Sequence, residues 1–348
     1  MKEMFTRRSI LALATGGMAA AALAAPAIGK SSGNRVLLGQ PSSGFIYLPL
    51  YAARKLGYFE EEGLEAEFIV FQKGGAEAMA ALIGGQSDIY IGSPGVQLRA
   101  QEKGQAIKSF ASVMSQWGSQ LIISAGAAKQ VKLDELTDPR TKAAALKGLK
   151  IAVAGPGSLT DLMVRHIAKY GGLEPDRDVT IVPVGGGSNM LAAFGQERVD
   201  GYALSAPTST IGMQQFGGRM LFDFSKGEYP PFADFSFYTL IARDQWLVDD
   251  KENAKKLVRG LWRGLKLMKE KPDEAREAVY TFFPKVEKPI FDVVWQQSLG
   301  AFGADPLINP DGMQKNFDFL EAGDGKPVNV ALKDSYTNEI VEAVAKSM

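Results

Sequence analysis

The sequence predicts two α/β domains, each a mostly parallel sheet flanked by helices, with two crossover strands between them as a hinge. Three observations predict this. A unit of short apolar strand, small-residue loop and amphipathic helix recurs six times. The six units fall into two sets of three whose text partly repeats. And 348 residues are more than one ordinary hydrophobic core organises.

The first set reads "NRVLLGQPSSGFIYLPLYAARKLGYF", "AEFIVFQKGGAEAMAALIGGQ" and "DIYIGSPGVQLRAQEKG". The second reads "KIAVAGPGSLTDLMVRHIAKYGG", "VTIVPVGGGSNMLAAFGQERV" and "DGYALSAPTSTIGMQQFGG". Strands that alternate with helices pair in parallel, because each helix carries the chain back across the sheet. Within the sets, "AALIGGQSDIYIGSP" and "LAAFGQERVDGYALSAP" share one order: helix end, Gly-Gln or its like, an Asp, a Tyr two residues on, then Ser and Pro. Asp88 is thereby matched to Asp200, and Tyr90 to Tyr202, which implies two domains of related design.

The boundary falls in "SQLIISAGAAKQVKLDELTDPRTKAAALKG", where Gln120–Ser124 reads as a strand leaving the first domain. The aromatic, β-rich run Phe235–Ile241 reads as the strand that returns. The first domain is therefore expected to be discontinuous, residues 34–124 plus 238–348, and the second to be residues 125–237. Beyond the return, "KENAKKLVRGLWRGLKLMKEK" carries Leu257, Leu261, Leu265 and Met268 on one helical stripe. This C-terminal part is expected to pack on the first domain.

Residues 1–27 read as an export signal rather than as fold. Arg7 and Arg8 precede an uncharged Ala/Leu/Gly run, and "APA" at Ala25–Ala27 has the small-x-small form a signal peptidase accepts. Thr6-Arg7-Arg8-Ser9-Ile10-Leu11 fits the twin-arginine motif, with Ile10 where Phe is usual. Cleavage after Ala27 would remove Lys2, Glu3, Arg7 and Arg8 and leave the mature chain slightly acidic, so any attraction for an anion must be local. The chain has no cysteine, hence no disulfide and no residue for a lipoprotein anchor. A soluble periplasmic protein is expected, handled by the twin-arginine translocase and signal peptidase on its way out.

Several functions lack their residues. There is no basic block and no zinc-ligand spacing, so nucleic acid is not an expected partner. "GPGSLT" has Thr160 where a dinucleotide fingerprint needs its third glycine, and no Gly-Lys-Ser/Thr follows any glycine-rich loop. His166, the one histidine, lies on the stripe Leu159, Met163, His166, Tyr170, which suits packing better than chemistry. Glu60, Glu61 and Glu62 read as a solvated turn. No catalytic group, metal or cofactor is expected.

What the loops can do is bind. In open α/β sheets ligands sit beyond the carboxyl ends of the strands. Those ends carry "QPSSG", "QKGG", "GSPG", "AGPGS", "VGGGS" and "LSAPTS", each followed by a helix whose first N–H groups are free. Such helix ends hold an anion without a salt bridge, glycine lets backbone approach closely, and Ser or Thr adds a hydroxyl. The same residues also serve as ordinary helix caps. Lys73 suits either a surface position or an anion partner. Phe45 and Tyr47 could wall a cleft beside Ser42 and Ser43, or Tyr47 could simply pack beneath its helix.

With these elements in place, "YLPLYAARKLGYFEEEGLEAEF", "GGAEAMAALIGGQSDIYIGSPG", "LKGLKIAVAGPGSLTDLMV" and "GQERVDGYALSAP" make the chain resemble the periplasmic substrate-binding proteins of ABC transporters, in the nitrate/sulfonate/taurine and thiamine-precursor group. The resemblance runs in order over roughly residues 36–245. It implies a type II, Venus-flytrap fold working as a monomer. Such a protein captures a small-molecule solute, here expected to be an anionic sulfonate, carboxylate or aromatic acid, and delivers it to an inner-membrane ABC permease and its ATPase. Carried onto this chain, the binding candidates are Ser42, Ser43, Phe45, Lys73, Gly74, Ser93, Ser158, Thr160, Gly187 and Ser205, with Trp117 and Tyr238 as aromatic walls near the crossovers. Three alternatives stay open: a thiamine-type pyrimidine precursor as solute, a pyrimidine-synthase-like enzyme on the same fold, and a ligand-binding input to a sensor. The enzymes of that fold consume a histidine and use a cysteine-rich motif, which this chain lacks.

Overall fold

A computed structural model describes residues 33–71 and 74–348. The proposed signal segment and Lys73 lie outside the described residues.

Ten strands form two five-stranded sheets. The strands are β1 (Arg35–Gln40), β2 (Glu65–Val70), β3 (Ile89–Gly92), β4 (Ile107–Met114), β5 (Ser119–Ile123), β6 (Lys150–Val153), β7 (Thr180–Pro183), β8 (Gly201–Ser205), β9 (Arg219–Asp223) and β10 (Tyr238–Arg243). One sheet runs β2-β1-β3-β10-β4 and the other β7-β6-β8-β5-β9. The orders match strand for strand. In each, the strand that arrives from the other domain, β10 or β5, inserts antiparallel between the third and last parallel strands. This is the two-domain, type II periplasmic-binding-protein architecture.

The domain boundary differs from the sequence expectation. The run 119–123 pairs with β8 and β9 in the second sheet, not with any strand of the first. The chain therefore leaves the first domain after Met114, and the crossover is the short segment 115–118. An apolar five-residue run identifies a strand but not its sheet. Its partners here begin nearly eighty residues downstream.

The repeated Asp and Tyr explain why the two sheets share a register. Asp88 accepts the backbone N–H of Leu37 at 2.9 Å, and Asp200 accepts that of Lys150 at 2.8 Å. Each carboxylate thus ties the start of its strand to the neighbouring parallel strand, where a sheet edge would otherwise fray. Tyr90 then stands opposite Gly39, and Tyr202 opposite Ala152. Both tyrosines are buried.

The C-terminal helices pack as the stripe predicts, with one extension. In helix Lys251–Glu270, Leu257, Leu261, Leu265 and Met268 are buried, worth about 1.5–3 kcal/mol each in transfer terms. Gly264 lets this helix touch helix Leu48–Lys55, since a Cβ there would stand 2.1 Å from the Pro49 carbonyl oxygen. Glu61 and Glu62 are no free turn: they pair with Arg263 and Arg259 on the same helix. Two later helices reach beyond the first domain. Lys288–Ser298 packs against Thr208–Phe216, and Pro310–Asp324 packs against Leu159–Tyr170, both helices of the second domain. Among the described residues no helix is long and apolar enough to cross a membrane.

Candidate functional site

Two facing sets of loops follow from the sheets. The segments after β1, β2 and β3 leave one edge of the first sheet, and those after β6, β7 and β8 leave the matching edge of the second. A small cavity lies between the segment after β1 and the end of β8. Phe45 and Ile46, just after β1, form one wall, with Met114 from the end of β4. Ser205 and Ala206, at the end of β8, form the opposite wall. Gly118 and Gln120 come from the first crossover and β5, Ser225 from the start of the second crossover, and Ser298 from the end of helix Lys288–Ser298. Every connection between the domains contributes. The free space is about 10 Å³, room for about one water-sized sphere, so a larger solute would need these walls apart.

Phe45 is held from behind. Its ring lies 4.5 Å from that of Phe283 and 5.2 Å from that of Phe291, which fixes it at the wall. Opposite, Ser205 Oγ lies 3.1 Å from Ser119 Oγ. Deeper, a buried polar network braces the β5 side. Gln120 Oε1 accepts from Ser209 Oγ at 2.8 Å, and its Nε2 points at Asp223 Oδ1, 3.4 Å away. Ser225 donates to that same oxygen from its hydroxyl at 2.5 Å and its backbone N–H at 3.2 Å.

The other candidates from the sequence are placed elsewhere. Ser158 caps helix Leu159–Tyr170 by accepting the Asp161 N–H, and Thr160 Oγ1 accepts the Ala154 N–H at 2.9 Å. Ser93 caps Pro94–Gln101 through the Gly95 N–H. Gly74 holds a left-handed φ of 87° before Gly75–Ile83, a turn that favours glycine. Gly187 is needed for packing, since a Cβ would sit 2.8 Å from Thr208 Oγ1. Ser42 and Ser43 are exposed, with Ser42 Oγ 3.5 Å from the Tyr47 hydroxyl.

The open question about Tyr47 resolves toward packing. It has no exposed surface and meets Tyr238 edge-on at 5.9 Å, and burial raises the pKa of both phenols. Trp117 corrects the expectation of an aromatic wall. It is fully buried, stacked on Phe232 at 3.9 Å and ringed by Phe235, Phe237 and Phe319. The two crossovers need an apolar core of their own, and Trp117 fills it.

Sequence reasoning missed Gln120, Ser225 and Ser298. Gln120 and Ser225 flank the crossovers and had a positional signal in that sense. Ser298 had none, because its helix carries no text shared with the repeated units.

A larger cavity of about 320 Å³ lies at the β7 edge of the second sheet. All its lining residues belong to that one domain, and its charged groups are spent on each other: Arg165 binds Asp161 and Asp176 at 2.9 and 2.7 Å. The smaller, interdomain cavity is the one that domain motion would open and shut.

Duplicated sheets, a double crossover and a cavity between the domains define the chain as a type II periplasmic binding protein by fold. More particularly, the NMT1/THI5-like family model matches residues 45–275, and the chain belongs to that family. YtlA of Bacillus subtilis (strain 168), described as a candidate binding protein, is 19% identical over 317 residues, covering 89% of this chain and 90% of YtlA. A solved protein of Bordetella bronchiseptica RB50 superposes with a TM-score of 0.74 at 24% identity, over 90% of this chain and 98% of its own. The periplasmic aliphatic sulphonate-binding protein SsuA of Escherichia coli superposes with a TM-score of 0.67 at 14% identity, over 87% and 92%.

Proposed function

We propose that this protein is the extracytoplasmic solute-binding component of an ABC-type importer. It captures a small organic solute in the interdomain cavity and hands it to a membrane permease energised by its ATPase. The observation that carries this reading is the make-up of the cavity: both domains, both crossovers and a C-terminal helix each supply a wall, so closure over a solute creates contacts that the separated domains lack. A ligand shifts an open–closed balance only through such differential contacts. Its task is binding rather than catalysis. His166 is not among the cavity's lining residues and engages Tyr229 instead. Helix N-termini beside the strand ends would suit an anionic head.

The test starts with mass spectrometry of whatever copurifies with the protein. That solute, at 100 times its dissociation constant, should stabilise the fold by roughly 2.7 kcal/mol. It should also shrink the radius of gyration in solution scattering. Phe45→Ala on one side and Ser205→Ala on the other should each weaken binding. A solute whose affinity depends on the first domain alone, with no compaction, would mean a one-sided pocket and sink the flytrap reading.

A further inference from the structure

The helix Pro310–Asp324 leans on the second domain but is rooted elsewhere. It is tied to the end of the second crossover, just before β10. Ser236 donates its N–H to the Gly312 carbonyl at 3.1 Å, Asn316 Nδ2 donates to the Ser236 carbonyl at 3.0 Å, and Lys315 Nζ donates to the Ala233 carbonyl. Ser236 and Asn316 are buried, and a Cβ at Gly312 would stand 2.5 Å from the Asp234 carbonyl oxygen, so helix and crossover meet at backbone distance. Buried polar groups matched in this way are costly to part. Phe237 then donates its N–H to the Met114 carbonyl at 3.1 Å, which joins this end of the crossover to β4 of the first domain. Further along the helix, Leu320 Cδ2 lies 3.7 Å from where a Cβ of Gly95 would stand, again in the first domain.

Toward the second domain the same helix makes contacts of another kind. Leu162, His166 and Lys169 share one face of helix Leu159–Tyr170, spaced by four and three residues. Leu162 Cδ2 lies 3.2 Å from where Gly323 would carry a Cβ, the His166 ring lies 5.6 Å from that of Phe319, and Lys169 Nζ donates to the Ala322 carbonyl at 2.5 Å. That carbonyl is among the last four of its helix, which find no partner within the helix. The ammonium supplies a donor, and a positive charge at the negative end of the helix dipole. Lys169 also stands in the last turn of its own helix, so one exposed side chain serves two helix ends across the domain boundary. Apolar contacts and one exposed bond can shear, whereas the buried set at Ser236 resists. A turn of the second domain about the crossovers therefore breaks this seam. Helix Lys288–Ser298 repeats the arrangement beside the cavity: Phe291 packs on Phe45 of the first domain, while Thr210 Oγ1 of the second donates to Gln297 Oε1 at 3.4 Å.

Resting on the two-domain solute-binding reading, we propose that helix Pro310–Asp324 is a latch across the domain boundary. It stays with the first domain and the second crossover, and Lys169 hooks its C-terminus. The latch holds the empty protein in the orientation seen here, with the cavity walls together. Its contacts are lost when the second domain turns away, so they bias the open–closed balance before any solute arrives. An exposed, charge-assisted bond of this kind shifts such a balance by about fivefold.

The chain has no cysteine, so a labelled pair can be placed in it without competition. Nitroxides at Lys55→Cys and Gln214→Cys, both exposed positions, put one label on each domain. Pulsed dipolar spectroscopy reads their separation in full-length mature protein stripped of solute by unfolding in urea and refolding at pH 7.5. The parent should show mainly the shorter of two separations. Lys169→Met keeps the apolar stem and should raise the longer population about fivefold. Gly323→Val, which wedges the seam at Leu162, should raise it too, and Lys169→Arg should restore the parent balance. An unchanged balance in Lys169→Met and Gly323→Val, a shift toward the shorter separation, or a parent that stands mostly apart without solute each overturns the latch. If the copurified solute still shortens the separation in that case, solute capture by domain closure survives. If neither variant nor solute moves it, that wider reading falls as well.

Discussion

Replacing His166 by glutamine should remove a specific part of the protein's acid sensitivity. The imidazole packs among Tyr229, Phe232 and Phe319, where helix Leu159–Tyr170 meets the second crossover and helix Pro310–Asp324. Burial holds the Tyr229 phenol protonated, so it donates to His166 Nδ1 across 2.8 Å and leaves the ring proton on Nε2. Burial, and then the nearby Lys169 ammonium, lower the pKa of His166 from 6.5 to about 4. The folded state thus binds fewer protons than the unfolded chain between those values. Stability from this group is complete above about pH 6.5 and falls as the pH drops toward 4. Between pH 7 and 4.5 the loss works out at about 2 kcal/mol once the ring's partial exposure is allowed for. Glutamine can still accept from Tyr229 and cannot titrate. Urea unfolding of both proteins at the two pH values provides the assay. The stability difference between parent and His166→Gln should move by about 2 kcal/mol in favour of the variant as the pH falls. Solute affinity at pH 7 should stay within a few-fold. If both proteins lose stability in parallel, the histidine is not buried neutral and the packing described for it is wrong.

Asp88→Ala and Asp200→Ala each strip the acceptor from a strand-start N–H at the same place in its sheet, but Asp88 is buried and also faces Arg243 at 3.6 Å, so its loss should cost more. A loss of about 1–3 kcal/mol is expected for Asp88→Ala in urea unfolding and less for Asp200→Ala, and the reverse order would refute the shared strand-start role. At the N-terminus, Arg7→Lys with Arg8→Lys should stop processing of the precursor near Ala27 in pulse-chase experiments. Normal processing of that double variant would exclude the twin-arginine route.

Local text was enough for the units, their parallel pairing and the kinship of the two domains. The Asp and Tyr that repeat at 88 and 90, and at 200 and 202, do equivalent work in the two sheets. It was not enough for the sheet of residues 119–123, because strand propensity is local and strand pairing is not. Trp117 shows the same limit. An aromatic near a crossover could face a cleft or fill a core, and only Phe232 and Phe319, more than a hundred residues away, decide for the core.

The strand-end serines carry the point from fold to function. In the sequence, a serine after a strand reads equally as a cap, a donor or an acceptor. Ser93 and Ser158 turn out to be caps, each accepting one backbone N–H at the start of its helix. Ser225 and Ser298 line the cavity with their protons already committed. What Ser225 and Ser298 have left to offer is therefore set by Asp223 and by the backbone carbonyl of Val294, neither of which belongs to any loop motif. An anionic solute is what glycine-rich loops and helix starts suggest in the sequence, and which hydroxyl could serve it depends on where each proton goes.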